Sequence, residues 1–210
     1  MTTQTRRGSA PPYYLGRPAA LWLDRLQTSE KAQPMSIPIH NDDLRFRKSG
    51  ALYVPAGDGL TKWFAGDVYT IKASRESTTG SLGVVEATIP PGGGPVAHAH
   101  TGADEAFYIL SGELEILDGA RKFMARTGDF VFVPRGIRHR FKNTGVHATR
   151  LLFMFAPGGE EGVFAYGDEP RPGQLPSPWP LERFATPEIL KFNEEFAIEI
   201  LPETEVISAK

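Results

Sequence analysis

The sequence predicts an all-β fold, a sandwich or barrel of short strands with a short helix at its N-terminal and its C-terminal end. Three observations carry this expectation. Short β-rich runs recur from Ala51 to Phe155, about 8–12 residues apart, which is the rhythm of sandwiches and barrels. Glycine (22) and proline (18) together are about a fifth of the 210 residues, against roughly 12% in an average protein. Helix-like apolar spacing occurs only outside this region.

In chain order, residues 1–15 are polar and proline-containing, and are expected to stay mobile or to lie across a neighbour. Gly16–Gln27 reads as a short helix with Pro18 near its first turn and Leu21, Trp22 and Leu26 on one face. Residues 28–48 read as a charged connector. The strands then follow at Ala51–Pro55, Val68–Lys72, Leu82–Pro90, Val96–His100, Glu105–Leu110, Glu113–Leu117, Arg121–Ala125, Asp129–Val133, Arg138–Lys142 and Ala148–Phe155. Phe107–Leu110 and Phe130–Val133 are apolar on both faces, which suggests strands covered on both sides. Five prolines between Pro170 and Pro180 mark a loop. At Thr186-Pro187-Glu188 a helix is expected, with Thr as N-cap, Pro at N1 and an acid in the first turn. Ile189, Phe192 and Phe196 share its face, and Pro202 is expected to end it. The organisation is an N-terminal arm (1–48), a barrel (49–157), and a proline-rich loop with a helix packing on the barrel (158–210).

Composition excludes several classes. Lys plus Arg is 23 and Asp plus Glu is 25, so the net charge of −2 gives no general nucleic-acid footprint. Cysteine is absent, which removes disulfides, thiolate metal sites and thiol nucleophiles. No apolar run approaches the roughly 20 residues that span a bilayer. Arg6-Arg7 is followed by an apolar stretch too short for an export signal, so a cytoplasmic location is expected.

The chemistry concentrates in the histidines. His98 and His100 are two apart on an expected strand, so both imidazoles face the same way. Glu105 follows on the next strand. His139 stands behind the turn Pro134-Arg135-Gly136, which would aim it at the others. Three imidazoles and a carboxylate suit one divalent first-row metal ion (Fe, Mn, Ni, Co, Cu or Zn) and leave coordination positions open. A lone histidine is more often structural, and His40 and His147, outside this cluster, read as surface residues.

The wider spacing is Gly92-x5-His98-x-His100-x4-Glu105-x6-Gly112, followed by Gly128-x5-Pro134-x-Gly136-x2-His139-x3-Asn143. These strings resemble the two characteristic motifs of the cupin superfamily, separated by Glu113 to Thr127. The resemblance implies a jelly-roll barrel with one metal ion held by His98, His100, Glu105 and His139. Gly112, Gly128 and Gly136 fall at expected turns, where a positive φ favours glycine.

The stretch Pro91-Gly-Gly-Gly-Pro95, the run Asp104–Gly112 and Ala156-Pro157-Gly158-Gly159 are similar to single-domain bacterial cupins of the quercetin-2,3-dioxygenase-like kind, often associated with secondary metabolism. That likeness implies a metal-dependent dioxygenase that opens an electron-rich enol or phenol, flavonol- or polyketide-like, with O2. Glu105 would be both ligand and catalytic base. Phe107 and Phe141 are candidate pocket residues, since each lies two residues beyond a ligand. Two alternatives stand beside this reading: a non-oxidative metal-dependent cyclase, isomerase or decarboxylase, and a small-molecule binder without turnover. The fold alone does not choose among them. The expected partners are a small-molecule substrate, O2 and a second copy of the chain in a homodimer.

Overall fold

The structure, a computed structural model, describes residues 49–203. The expectations for the arm and for its helix at Gly16–Gln27 fall outside these residues.

Alternation builds the sheets. β3 (Gly83–Ile89) buries every second residue, as does most of β10 (Thr149–Ala156). These strands lie side by side in a six-stranded antiparallel sheet, in the order β1 (Leu60–Phe64), β2 (Asp67–Ala73), β3, β10, β5 (Asp104–Ser111) and β8 (Phe130–Val133). A five-stranded sheet faces it, in the order β11 (Ile198–Ile200), β4 (His98–His100), β9 (His139–Lys142), β6 (Glu113–Asp118) and β7 (Arg121–Arg126). The inward residues form one core, in which Val85, Ile109, Leu114, Ile116 and Leu151 are wholly excluded from solvent. Burial of such side chains stabilises by about 1.5–3 kcal/mol each.

Gly112 links β5 to β6 at φ 86°. A methyl group there would stand 2.6 Å from Thr149 Oγ1 and 3.1 Å from Thr149 Cα. Asn143 is structural: its side-chain amide donates to Ile89 O and His147 O, each at 2.8 Å. His147 is exposed, as expected of a surface residue.

Two expectations are corrected, the first strand and the end of the C-terminal helix. Ala51–Pro55 forms no strand; the first strand is instead Leu60–Phe64, which pairs with β2 and bridges Trp63 to Asp168. The outer cover expected for β5 and β8, a partner subunit or a tail, lies outside the described residues: Tyr108, Phe130 and Phe132 are exposed there, while Phe107 and Ile109 on the inner face are buried under the second sheet. The C-terminal helix α1 (Pro187–Glu195) starts as expected, with Thr186 at its N-cap, Pro187 in its first turn and Glu188 behind it, although the Thr186 side chain makes no capping hydrogen bond. That helix stops well before Pro202. Ala197 turns the chain at φ 54°, and Ile198–Ile200 become strand β11 against β4. The reason is tertiary: an edge strand with free backbone groups was waiting for a partner.

Helix α1 contacts β11 and the two 3₁₀ helices at Glu160–Tyr166 and Leu181–Ala185. Ile189 and Phe192 are its buried residues, and Phe196 stacks on Phe192 with ring centroids 4.4 Å apart.

Candidate metal centre

The two sheets bring four side chains to one place. His98 and His100 share a face of β4, and His98 pairs directly with His139 of β9 across the ladder. Glu105 comes from β5 in the opposite sheet. The turn before β9 is tied down twice. Gly136 N donates to His100 O at 2.7 Å. Arg135 grips Asp104, the neighbour of Glu105, with Nε at 3.1 Å from Oδ1 and Nη2 at 2.8 Å from Oδ2. These hydrogen bonds hold the Asp104 carboxyl down at about 2.

One ligand atom from each of His98, His100, Glu105 and His139 lies within 4.8 Å of the other three. His98 Nε2 is 3.1 Å from His100 Nε2, and His100 Nε2 is 3.2 Å from Glu105 Oε2. Ligands at ~2.1 Å from one ion and at right angles to each other stand about 3 Å apart, so these spacings fit a single ion.

The tautomers fit as well. His98 Nδ1 lies 2.7 Å from Val96 O, and His139 Nδ1 lies 2.8 Å from Ile137 O. A carbonyl oxygen only accepts, so the ring proton is on Nδ1 and the Nε2 lone pair points inward. His139 Nε2 then confronts Glu105 Oε2 at 2.6 Å. Lone pair against carboxylate is repulsive unless a cation, a second proton or a metal ion, stands between them.

The electrostatics agree. Burial, with the neighbouring His100 and His139, lowers His98 to about 3, so it is neutral. Burial also lowers His100, but the Glu105 and Glu160 carboxylates outweigh it and raise it to about 10. Burial pushes Glu105 up, yet the hydrogen bonds and charges of His100 and His139 prevail and hold its carboxyl well below the usual range.

The four residues of the cluster line a cavity of about 380 Å³. Its walls are aromatic, with Phe107, Phe141, Phe153, Phe155 and Phe164 among them, and Ile189 of α1 and Ile198 of β11 also line it. Phe107 and Phe141 meet edge to face at 5.8 Å and are buried, so each serves core and cavity wall together.

Four polar lining residues were not anticipated, Asn193 of α1 and three others. Glu160, 2% exposed, pairs with His100 Nδ1 from the segment after the barrel. Asp67 and Tyr69 are buried on the inner face of β2, where the Tyr69 hydroxyl donates to Asp67 Oδ2 at 3.0 Å. Asp67 also accepts from Gly94 N at 3.2 Å. Burial outweighs both bonds and raises Asp67 to about 7. The sequence signal for this pair was the two-residue spacing of Asp67, Tyr69 and Ile71, which an expected strand starting at Val68 cut off. Glu160 carried no signal.

Residues 85–155 match the family model described as the cupin domain, and the barrel is a cupin domain. Relatives by sequence match this chain over part of its length. Protein SchB of Streptomyces halstedii is 35% identical over 39% of this chain and 57% of its own length. The tetracenomycin polyketide synthase protein TcmJ of Streptomyces glaucescens is 29% identical over 50% of this chain and 70% of its own length. The quercetin 2,3-dioxygenase of Bacillus subtilis is 28% identical over 52% of this chain but only 32% of that protein. This chain thus spans from about a third to seven-tenths of the curated relatives named here. Among solved structures, a Thermotoga maritima protein titled as a predicted oxalate decarboxylase is similar over 50% of this chain and 98% of its own, with TM-score 0.48 and 22% identity.

Proposed function

We propose that the protein is a metal-dependent dioxygenase acting on an electron-rich enolic or phenolic small molecule, flavonol- or polyketide-like, in the cytoplasm and as a homodimer. The observation that supports this most is one cavity that joins a three-imidazole, one-carboxylate cluster to aromatic walls. A flat, mostly apolar molecule with one acidic oxygen is the ligand such a cavity suits.

His98, His100 and His139 would hold one divalent first-row ion through Nε2, with Glu105 as the fourth ligand. When bound, the ion supplies Lewis-acid activation of a substrate hydroxyl and, if redox-active, a route for dioxygen. The chain's own residues do the rest. Glu105 Oε2 lies among the ring nitrogens and takes the hydroxyl proton as the substrate seats. The Nδ1–H bonds to Val96 O and Ile137 O keep two of the rings from rotating. Phe107, Phe141 and Phe153 exclude water and offer flat faces to an aromatic substrate.

The Streptomyces relatives favour one second reading. TcmJ is called a tetracenomycin polyketide synthase protein, and a further relative, 34% identical over 39% of this chain, is polyketide synthase CurC of Streptomyces cyaneus; these names fit an oxygen-independent enzyme on a polyketide-like aromatic at the same site. Oxygen uptake separates the two. Protein freed of metal is reloaded separately with iron, manganese, nickel, cobalt and zinc, and assayed on flavonols, catechols and enediones beside His139→Ala. Uptake with a redox-active metal, absent with zinc and in the variant, is expected. Stoichiometric metal binding with no uptake under any metal would sink the dioxygenase and leave the oxygen-independent enzyme.

A further inference from the structure

Three imidazoles meet at the cluster, and their outer nitrogens are not treated alike. His98 and His139 each face the carbonyl of the residue two places before them, Val96 and Ile137. Those partners are local. His100 Nδ1 instead faces a carboxylate oxygen of Glu160, from a 3₁₀ helix that lies beyond the residues matched by the cupin-domain model.

Glu160 is costly where it stands. The residue is 2% exposed, and apart from His100 neither carboxylate oxygen has a hydrogen-bond partner among the described residues. His100 is the one cation or ring nitrogen paired with it there. A buried carboxylate with so little support destabilises a fold unless a charge opposite it is part of the design. Its neighbour Glu161 shows the contrast. That carboxylate accepts from Arg75 N at 2.6 Å and Gly159 N at 2.7 Å, so Glu161 ties the segment to the barrel and fixes where Glu160 points. The two consecutive acids divide the work, one anchoring the backbone and one facing the site.

We propose that Glu160 is a positioning residue for the metal centre, a carboxylate that orients His100 through Nδ1 and makes its Nε2 the strongest nitrogen donor of the three. The inference rests on the metal-site reading above and adds a fifth residue to it, supplied from outside the matched domain. A carboxylate behind a ligating imidazole fixes the ring and raises its basicity, and loss of such a partner weakens metal affinity about 10–100-fold.

The test uses the full chain and cobalt(II) as the probe, with affinity measured by chelator competition and the visible cobalt spectrum recorded. Glu160→Gln keeps the shape and a neutral acceptor, while Glu160→Ala removes both. Cobalt affinity should fall about tenfold in Glu160→Gln and up to about 100-fold in Glu160→Ala, with shifted cobalt bands. The metal-free melting temperature of Glu160→Gln should not fall, which separates positioning from a structural role. Wild-type affinity and an unchanged spectrum in both variants would overturn the inference while leaving the four-ligand site intact. Wild-type protein that binds no cobalt would overturn the metal-site reading and this inference together. If Glu160→Ala fails to fold, Glu160→Gln decides alone.

Discussion

Replacing Asp67 by Asn should change how the stability of this protein depends on pH. Asp67 is 2% exposed, its Oδ1 has no hydrogen-bond partner among the described residues, and burial raises it from 3.8 to about 7. Below pH 4 the carboxyl is protonated in both folded and unfolded chains and costs nothing. As pH rises, the unfolded chain ionises first, so stability is lost between about pH 4 and pH 7 and levels off above. A gap of about three pH units at ~1.4 kcal/mol each amounts to about 4 kcal/mol, an order-of-magnitude figure. Urea unfolding at half-unit steps from pH 4 to 8, with one chelator throughout, measures it. All other titrating groups are common to the two proteins and cancel in the difference. Relative to Asp67→Asn, the wild type should lose roughly 1.4 kcal/mol per pH unit across that window. A constant difference from pH 4 to 8 would show that Asp67 ionises normally, and the argument from its burial would be wrong.

Other substitutions probe the frame around the cavity. Gly112→Ala places a methyl group against Thr149 at a positive φ and should cost at least about 2 kcal/mol in chemical denaturation. Phe153→Ala empties a core position that is 1% exposed, with a cost of about 3–5 kcal/mol by the same measurement. Glu161→Ala strips the acceptor from two backbone N–H groups and should lower stability by about 3 kcal/mol. A methyl group at Gly83 overlaps the same carboxylate, so Gly83→Ala should be similarly destabilising and the double variant less than additive. His139→Ala should abolish stoichiometric metal binding by calorimetry.

How much was legible follows from the range of each interaction. The four clustered side chains were readable because a two-residue strand period and fixed glycine turns place them, and both are local. Nine of the ten expected strands overlap observed ones for the same reason. Ala51–Pro55 was misread because β propensity without a partner does not make a strand. β11 was missed because its cause is the free edge of β4, about a hundred residues away in the chain. Glu160 was invisible for a like reason: nothing near Pro157-Gly158-Gly159 announces that the next residue will face His100. Asp67 was lost to a boundary error of one residue, enough to hide that it shares a face with Tyr69.

The pairing of β11 with β4 has a consequence for the order in which the protein is made. The strand bearing His98 and His100 pairs with β9 on one side, but its neighbour on the other side, Ile198–Ile200, is made about a hundred residues later. At about 5–20 residues per second, the interval lasts several seconds. Throughout it, β4 is an open edge carrying two imidazoles, exposed both to other nascent strands and to any loose metal ion. Completion of the site thus waits for residues 198–200, and a chain stopped short of residue 198 would display ligands on an unsealed seam.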